Sequence, residues 1–141
     1  PKISYHTRID VFNPMIPGLV GKKMSSSDAK SKVDLTDDEK QVREKINNAD
    51  CVSGDPDNGV MAFLKYVIMV IKQDKKEQFI IERPDKYGGN INYKDYESIE
   101  KDFVSKKLHP LDLKNAVSKE ISNLLDKIDI NKLNELGKRA Y

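Results

Sequence analysis

Residues 60–71 constrain this chain more than any other stretch. Val60, Phe63, Leu64, Val67, Ile68 and Ile71 recur at helical spacing and leave almost no polar side. A helix that is apolar nearly all round needs cover on every side, so the rest of the chain has to be wrapped around it. The stretch is too short to span a bilayer and contains Lys65. Asn58 stands where it can cap this helix, just after a Gly54-Asp55-Pro56-Asp57 turn.

The covering elements read as amphipathic. Thr36 and Glu39 form a T-x-x-E pair that predicts a helix start near Thr36, with Val42, Ile46 and Ala49 following at helical spacing. Phe79-Ile80-Ile81 reads as a short strand ended by Pro84, and Tyr87-Gly88-Gly89-Asn90 as a loop. A third helix is expected over 94–106, with Tyr96, Ile99 and Phe103 on one face. Pro110 suits the first position of the next helix, which carries Leu113, Val117, Ile121, Leu124 and Leu125. Asp129 is placed to cap a last helix with Ile130, Leu133 and Leu136. Upstream, residues 2–12 read as strand and approach, with Ile9, Val11 and Phe12 around Asp10. Residues 13–18 form a breaker-rich turn, and 21–32 a mobile polar loop with Lys22, Lys23, Lys30 and Lys32. The expected fold class is mainly α: the tail end of an α/β unit over residues 1–35, then a helical domain over 36–141.

Charge and cysteine content narrow the partners. The 141 residues hold 25 Lys and Arg against 23 Asp and Glu, a net charge of +2. No global field draws nucleic acid to such a chain, so any RNA contact has to come from local patches. With 38% apolar and 34% charged residues the composition is that of a soluble globular protein. Cys51 is the only cysteine, so no intramolecular disulfide forms, and a lone thiol fits a reducing compartment, the cytosol. No signal peptide or membrane anchor is recognised in the sequence. The chain starts at Pro1 and runs directly into a strand-like segment, from which we expect it to be part of a longer polypeptide.

The sharpest motif is Lys23-Met24-Ser25-Ser26-Ser27. A lysine followed by three hydroxyls in a loop can grip phosphate oxygens. The lysine can also neutralise charge on departing pyrophosphate, which counts most when the contact forms only in the transition state. On chemistry alone a solvated polar loop remains the alternative. Context adds to the motif. The run from Asn13-Pro14-Met15-Ile16-Pro17-Gly18-Leu19 to Lys23-Met24-Ser25-Ser26-Ser27 resembles the second signature of class I aminoacyl-tRNA synthetases, in the form carried by the archaeal and eukaryotic tyrosyl-tRNA synthetases. The resemblance continues through Ser31-Lys32-Val33-Asp34-Leu35, Asn58-Gly59-Val60, Lys86-Tyr87-Gly88-Gly89-Asn90, Glu100-Lys101-Asp102-Phe103 and His109-Pro110-Leu111-Asp112-Leu113-Lys114-Asn115, covering essentially the whole chain in order.

The resemblance implies roles and partners. Residues 1–35 would close a Rossmann-type catalytic domain, and 36–141 would form the anticodon-binding domain of the C-terminal half. Lys23 would hold the ATP triphosphate with Ser25, Ser26 and Ser27 in support, and the backbone around Ile16 and Met24 would frame the adenine. The second lysine usual in the class I motif is replaced by Ser26, as in the tyrosyl subgroup, leaving Lys22 or a group elsewhere to supply that charge. Magnesium would arrive with ATP; no metal-ligand cluster is read in the sequence. Tyr87 would stack on the first anticodon base of tRNA(Tyr), and Asp112 would accept hydrogen bonds from a guanine, with His109 and Pro110 shaping the pocket. From the residues themselves, the nearby Lys106, Lys107, Lys114 and Lys119 support a backbone contact, the alternative being a solvated charged helix face. Read without the resemblance, Tyr87 is a packing residue, Asp112 a carboxylate favoured by the first turn of a helix, and His109 a cap.

The implied activity is tyrosine–tRNA ligation: ATP-dependent formation of tyrosyl-adenylate, then transfer to tRNA. The tyrosine pocket, the first class I signature and the dimer contact would lie upstream, so residues 1–141 alone are expected to be inactive. The alternatives are a stand-alone RNA-binding module without catalysis and a helical interaction domain that binds neither ATP nor RNA.

Overall fold

The computed structural model describes residues 14–21 and 23–140, apart from the side chains of Asn134, Gly137 and Ala140. The strand expected over 2–12, and Asn13 and Lys22, lie outside the described residues. The rest is mainly helical with one small sheet.

Helix α1 (Glu39–Asn47) starts later than the T-x-x-E pair predicts. Asp38 is the cap: its carboxylate accepts from Gln41 N at 2.7 Å, while Gln41 Oε1 accepts from Asp38 N at 2.9 Å. The same reciprocal logic operates two residues on, because Asp and Gln complete the box as well as Thr and Glu do. Val42 and Ile46, one turn apart, are fully buried.

The apolar stretch forms the expected buried centre, but not as one regular helix. Asn58 Oδ1 accepts from Met61 N at 3.0 Å and starts α2 (Gly59–Phe63). A π turn (Leu64–Ile68) follows, then α3 (Met69–Asp74). The wider turn changes the phase of the apolar face. Val60, Met61, Leu64, Ile68 and Met69 are buried, whereas Tyr66 and Val70 reach solvent.

Strand β1 (Phe79–Ile81) pairs antiparallel with β2 (Ile91–Tyr93), in the register Phe79↔Tyr93, Ile80↔Asn92 and Ile81↔Ile91. Phe79, Ile81 and Tyr93 point into the core and Ile80 points out. The second strand was not anticipated, since Ile91-Asn92-Tyr93 is only three residues long, with Ile91 and Tyr93 on the inner face and Asn92 on the outer one. Asp95 caps α4 (Tyr96–Val104), which is shorter at both ends than the expected 94–106. Pro110 opens α5 (Pro110–Leu125), and Asp129 Oδ1 accepts from Lys132 N at 3.1 Å at the start of α6 (Ile130–Ala140).

The core joins these pieces: α1 lies along α5, α5 also packs on β1 and the π turn, and α4 packs on β2. Leu19, from the segment before the polar loop, is buried in the same core. Its entry depends on Gly59. A Cβ there would stand 2.3 Å from Gly18 O and 3.1 Å from Leu19 Cα, so the first turn of α2 touches the incoming backbone directly. Both atoms are backbone and cannot swing aside.

Gly59→Ala should therefore destabilise the protein by about 1–3 kcal/mol through overpacking, despite alanine's better helix propensity. The denaturation midpoint measures this, and an unchanged midpoint would mean that the contact can relax.

Candidate functional site

The polar loop is more ordered than its composition suggests. Ser31, almost fully buried, is its pivot. Ser31 Oγ accepts from Ser25 N at 2.9 Å, and its single proton is shared between the carbonyls of Asp28 (2.8 Å) and Ser25 (3.1 Å). Asp28 caps a 3-10 turn (Ala29–Ser31) by accepting from Lys30 N. Leu19 N donates to Ser31 O at 2.9 Å, closing the loop at its base. Asp50, just beyond α1, holds the same base: its N donates to Leu19 O at 2.7 Å, and its Oδ2 accepts from Gly21 N at 2.8 Å. Downstream, Lys45 of α1 binds Asp37 at 2.6 Å and Asp34 at 3.6 Å, and Lys32 binds Asp34 at 2.7 Å. The Lys32 contact, with Lys45 behind it, outweighs partial burial and holds the Asp34 carboxyl below its usual range.

On this frame Lys23 and Ser26 are exposed, and Ser25 Oγ stands 3.0 Å from Ser27 Oγ. The loop thus offers Lys23 and neighbouring hydroxyls to solvent, a set suited to phosphate oxygens. Ile16 is half-buried and Met24 exposed. A side chain at Gly18 would stand 3.0 Å from Lys23 O, so the chain doubles back tightly between them. A groove of ≈ 610 Å³ lined by Val20, Ala29, Lys30, Gln41, Glu44, Lys45 and Asn48 runs between the loop and α1.

The second set of residues sits where the β1–β2 loop meets the start of α5. A 3-10 turn (Asp85–Tyr87) is followed by Gly88 and Gly89, both at positive φ, which lets the chain reverse with Tyr87 at its tip. Tyr87 is 64% exposed, and Lys86 Nζ lies 4.9 Å from its ring centroid. His109 caps α5 through Nδ1, which accepts from Leu111 N at 3.1 Å; Pro110 is the first residue of the helix and Asp112 lies in its first turn.

Arg83, which the sequence reading passed over, joins the two parts. Its Nε donates to Gly89 O at 3.3 Å, its guanidinium stands 4.0 Å from Asp112 Oδ2, and its own N donates to Asn90 Oδ1 at 3.0 Å. Only its place beside Pro84, ahead of the Lys86-Tyr87-Gly88-Gly89 block, hinted at such a role. Two expected cations are committed elsewhere. Lys114 Nζ donates to Ala49 O at 2.7 Å and Asn47 O at 3.0 Å, capping the C-terminal end of α1, and Lys119 pairs with Glu82 at 2.7 Å. Lys106 and Lys107 are exposed. Asp50 and the Asp112 contact of Arg83 act across about thirty residues, which no short motif encodes, while the bonds of Ser31 to Ser25 and Asp28 are local.

Other titrating groups are structural. Burial and the Asp102 carboxylate push the Tyr93 phenol far above its ordinary range, and burial with Glu100 does the same to Tyr96. Among the described residues no group of three His, Cys, Asp or Glu could hold a metal ion, and no helix is long and apolar enough to cross a membrane.

This geometry falls within a known class. The family model for "tRNA synthetases class I (W and Y)" matches residues 2–126, and the chain belongs to that family. Within it the similarity is to tyrosyl enzymes. The chain is 42% identical over its whole length to the cytoplasmic tyrosine–tRNA ligase of Gallus gallus, of which it spans 27%. It is 43% identical over 85% of its length to the tyrosine–tRNA ligase of Haloarcula marismortui, of which it spans 35%. The crystal structure of the Archaeoglobus fulgidus tyrosyl-tRNA synthetase complexed with L-tyrosine superposes with a TM-score of 0.73 at 37% identity, covering 80% of this chain and 34% of that one. The chain thus spans about a third or less of these proteins.

Cys51 supplies a test of the fold around the site. Burial pushes its thiol up to about 11, only partly offset by Lys114. A raised thiol pKa stabilises the fold fully below the unfolded value, and that contribution is lost as pH rises through about 11. At pH 8 the native thiol should alkylate about 100-fold more slowly than the urea-unfolded chain, with the native rate still rising near pH 11. Equal rates at pH 8 would mean the thiol is not shielded.

Proposed function

We propose that the full-length protein is a tyrosine–tRNA ligase, in which this chain supplies the nucleotide-phosphate loop and the anticodon reader. The observation that carries this reading is the pairing of two chemically distinct surfaces on one core. One is a hydrogen-bonded loop offering Lys23 and serine hydroxyls; the other is an exposed Tyr87 beside Asp112, tied together by Arg83. In the proposed division, residues 1–35 end a Rossmann-type catalytic domain and 36–141 form the anticodon domain. Tyrosine binding and dimer contacts are assigned to segments outside this sequence, and the cytoplasm is the proposed compartment, as named for the chicken relative.

The chemistry asked of the loop is charge stabilisation. The tyrosine carboxylate attacks the α-phosphorus of ATP, an acyl–phosphate bond forms, and the bond to pyrophosphate breaks. Lys23, with Ser25, Ser26 and Ser27, neutralises the charge that collects on the leaving pyrophosphate. Ile16 and Met24 frame the adenine through their backbone. These donors match phosphate oxygens, not a bare divalent cation, so no residue of this chain is assigned to magnesium, which travels with the nucleotide. A ribose hydroxyl at the 3′ end of the tRNA then takes the tyrosyl group and AMP leaves.

At the other surface, Tyr87 presents a ring on which the first anticodon base stacks. Asp112, with His109 and Pro110 fixing the start of its helix, accepts from a guanine edge. Arg83 contacts Asp112 on Oδ2, which leaves Oδ1 for the base.

In tyrosine-dependent ATP–pyrophosphate exchange by the full-length protein, Lys23→Ala should lower the rate about 100-fold, the scale of losing one transition-state charge contact. Tyr87→Ala should leave exchange intact and weaken tRNA binding by roughly 5- to 100-fold, the scale of one lost base stack. If no amino acid supports exchange while the protein still binds tRNA, the catalytic reading fails and a binding module takes its place.

A further inference from the structure

From the corner between α4 and α5 we infer that Lys106 is a pre-positioned contact for an RNA phosphate, extending the proposed anticodon surface along the nucleic-acid backbone. This rests on the tRNA-binding reading above.

Lys106 has φ +63°, in the left-handed region where a side chain is disfavoured and glycine is the usual choice. It lies just past the end of α4. Lys106 N donates to Phe103 O at 3.0 Å and Lys107 N to Asp102 O at 2.9 Å, the bond pattern that terminates helices around a left-handed residue. Glycine would make the same turn without strain, so the backbone alone gives no reason for a lysine. Positive φ by itself assigns no use, because Lys76 shares it; the placement of the Lys106 side chain does.

The side chain is held. Its stem lies over Gly54, where an added Cβ would stand 3.1 Å from Lys106 Cε and 3.5 Å from its Cγ. Gly54 itself has φ +87°, so a bare position on a neighbouring turn leaves room for the lysine. Among the described residues its ammonium has no ion-pair partner, in contrast to Lys45, Lys72 and Lys119. The stem lies against Gly54, the ammonium has no ion pair among the described residues, and the exposed Lys107 follows directly. Three residues on, His109 caps the helix that carries Asp112. A cation fixed at this place suits a polyanion running past the start of α5.

Lys76 provides the comparison. It also has positive φ, at +56°, after the end of α3. It lines a shallow groove with Gln73, Glu77, Gln78 and Lys94, at the end of the β1–β2 pair opposite the Tyr87 loop.

The test uses the full-length protein with Lys106→Gly, Lys106→Arg and Lys76→Gly, reading melting temperature and tRNA affinity from 50 to 200 mM salt. Both glycine variants relieve strain and should melt at or above the wild-type temperature. Lys106→Gly should weaken tRNA binding by about threefold or more, equally for all anticodon sequences, and lower the slope of log affinity against log salt by about 1. Lys106→Arg should restore both, and Lys76→Gly should change neither. Unaltered affinity and slope in Lys106→Gly would overturn the inference while leaving the anticodon reading intact. Failure of the wild type to bind tRNA would remove that reading and this one together.

Discussion

The contact between Gly59 and Gly18 holds the rest of the structure in place. A helix that begins against another stretch of backbone, with no side chain between them, leaves only one path for the incoming chain. That path drops Leu19 into the core, and the backbone of Leu19 then meets Ser31 on one side and Asp50 on the other. The polar loop is therefore not an appendage on a helical domain. Its base packs on the helical core through Leu19, and its exposed lysine and hydroxyls are carried close to that buried apolar anchor. Burial of a leucine side chain stabilises by roughly 2 kcal/mol, comparable to the cost of ordering one or two loop residues. The hydrogen bonds of Ser31 and Asp50 supply the rest of the ordering.

The same economy of parts appears at the other surface. The hairpin loop and the start of α5 come from distant points in the chain, and each is ordered by its own local rules: two positive-φ glycines in one, a histidine cap and a proline in the other. Neither rule sets the distance between them. Arg83 does, with one guanidinium reaching a carbonyl and a carboxylate. A planar fork of donors suits this task, and a lysine could not satisfy both acceptors in the same geometry. The pairing is half-buried and, at 4.0 Å, beyond hydrogen-bonding distance, so it places a positive charge beside Asp112 without a directed bond.

Legibility from sequence followed the range of the interaction. Local devices were readable: Asn58 as a cap, Pro110 as a first helical residue, Asp129 as a cap, and Phe79-Ile80-Ile81 as a strand. The start of α1 was misplaced by two residues because Thr36 and Asp38 both head plausible capping boxes, and only packing of Val42 and Ile46 against α5 selects one. The π turn was invisible, since hydrophobic spacing is counted at one fixed period. Strand β2 was missed because its apolar partner residues lie across the sheet, not along the chain. Among site residues, the candidates in the loop and hairpin came from ordered blocks. Arg83 and Asp50 did not, because their partners Asp112 and Gly21 lie about thirty residues away; Ser31 heads one of those blocks, but its place as the buried pivot of the loop is not encoded there. For Lys114 and Lys119 charge type suggested RNA, and the protein partners they have in the fold, the end of α1 and Glu82, could not be read from sequence for the same reason.

The reassignment of Lys114 ties the two surfaces together. Two residues beyond Asp112, it closes the end of α1 by taking the carbonyls of Asn47 and Ala49. The next residue, Asp50, holds Leu19 and Gly21 at the base of the lysine–serine loop. Between the first turn of α5 and the loop there are thus two hydrogen-bonded junctions and one helix end, with no flexible linker. The ammonium is half-buried against carbonyls that a helix end leaves without partners, so exchanging it for a neutral side chain would leave polar groups unsatisfied in a confined space. The architecture alone thus gives Lys114 a place, at the junction between the end of α1 and the first turns of α5.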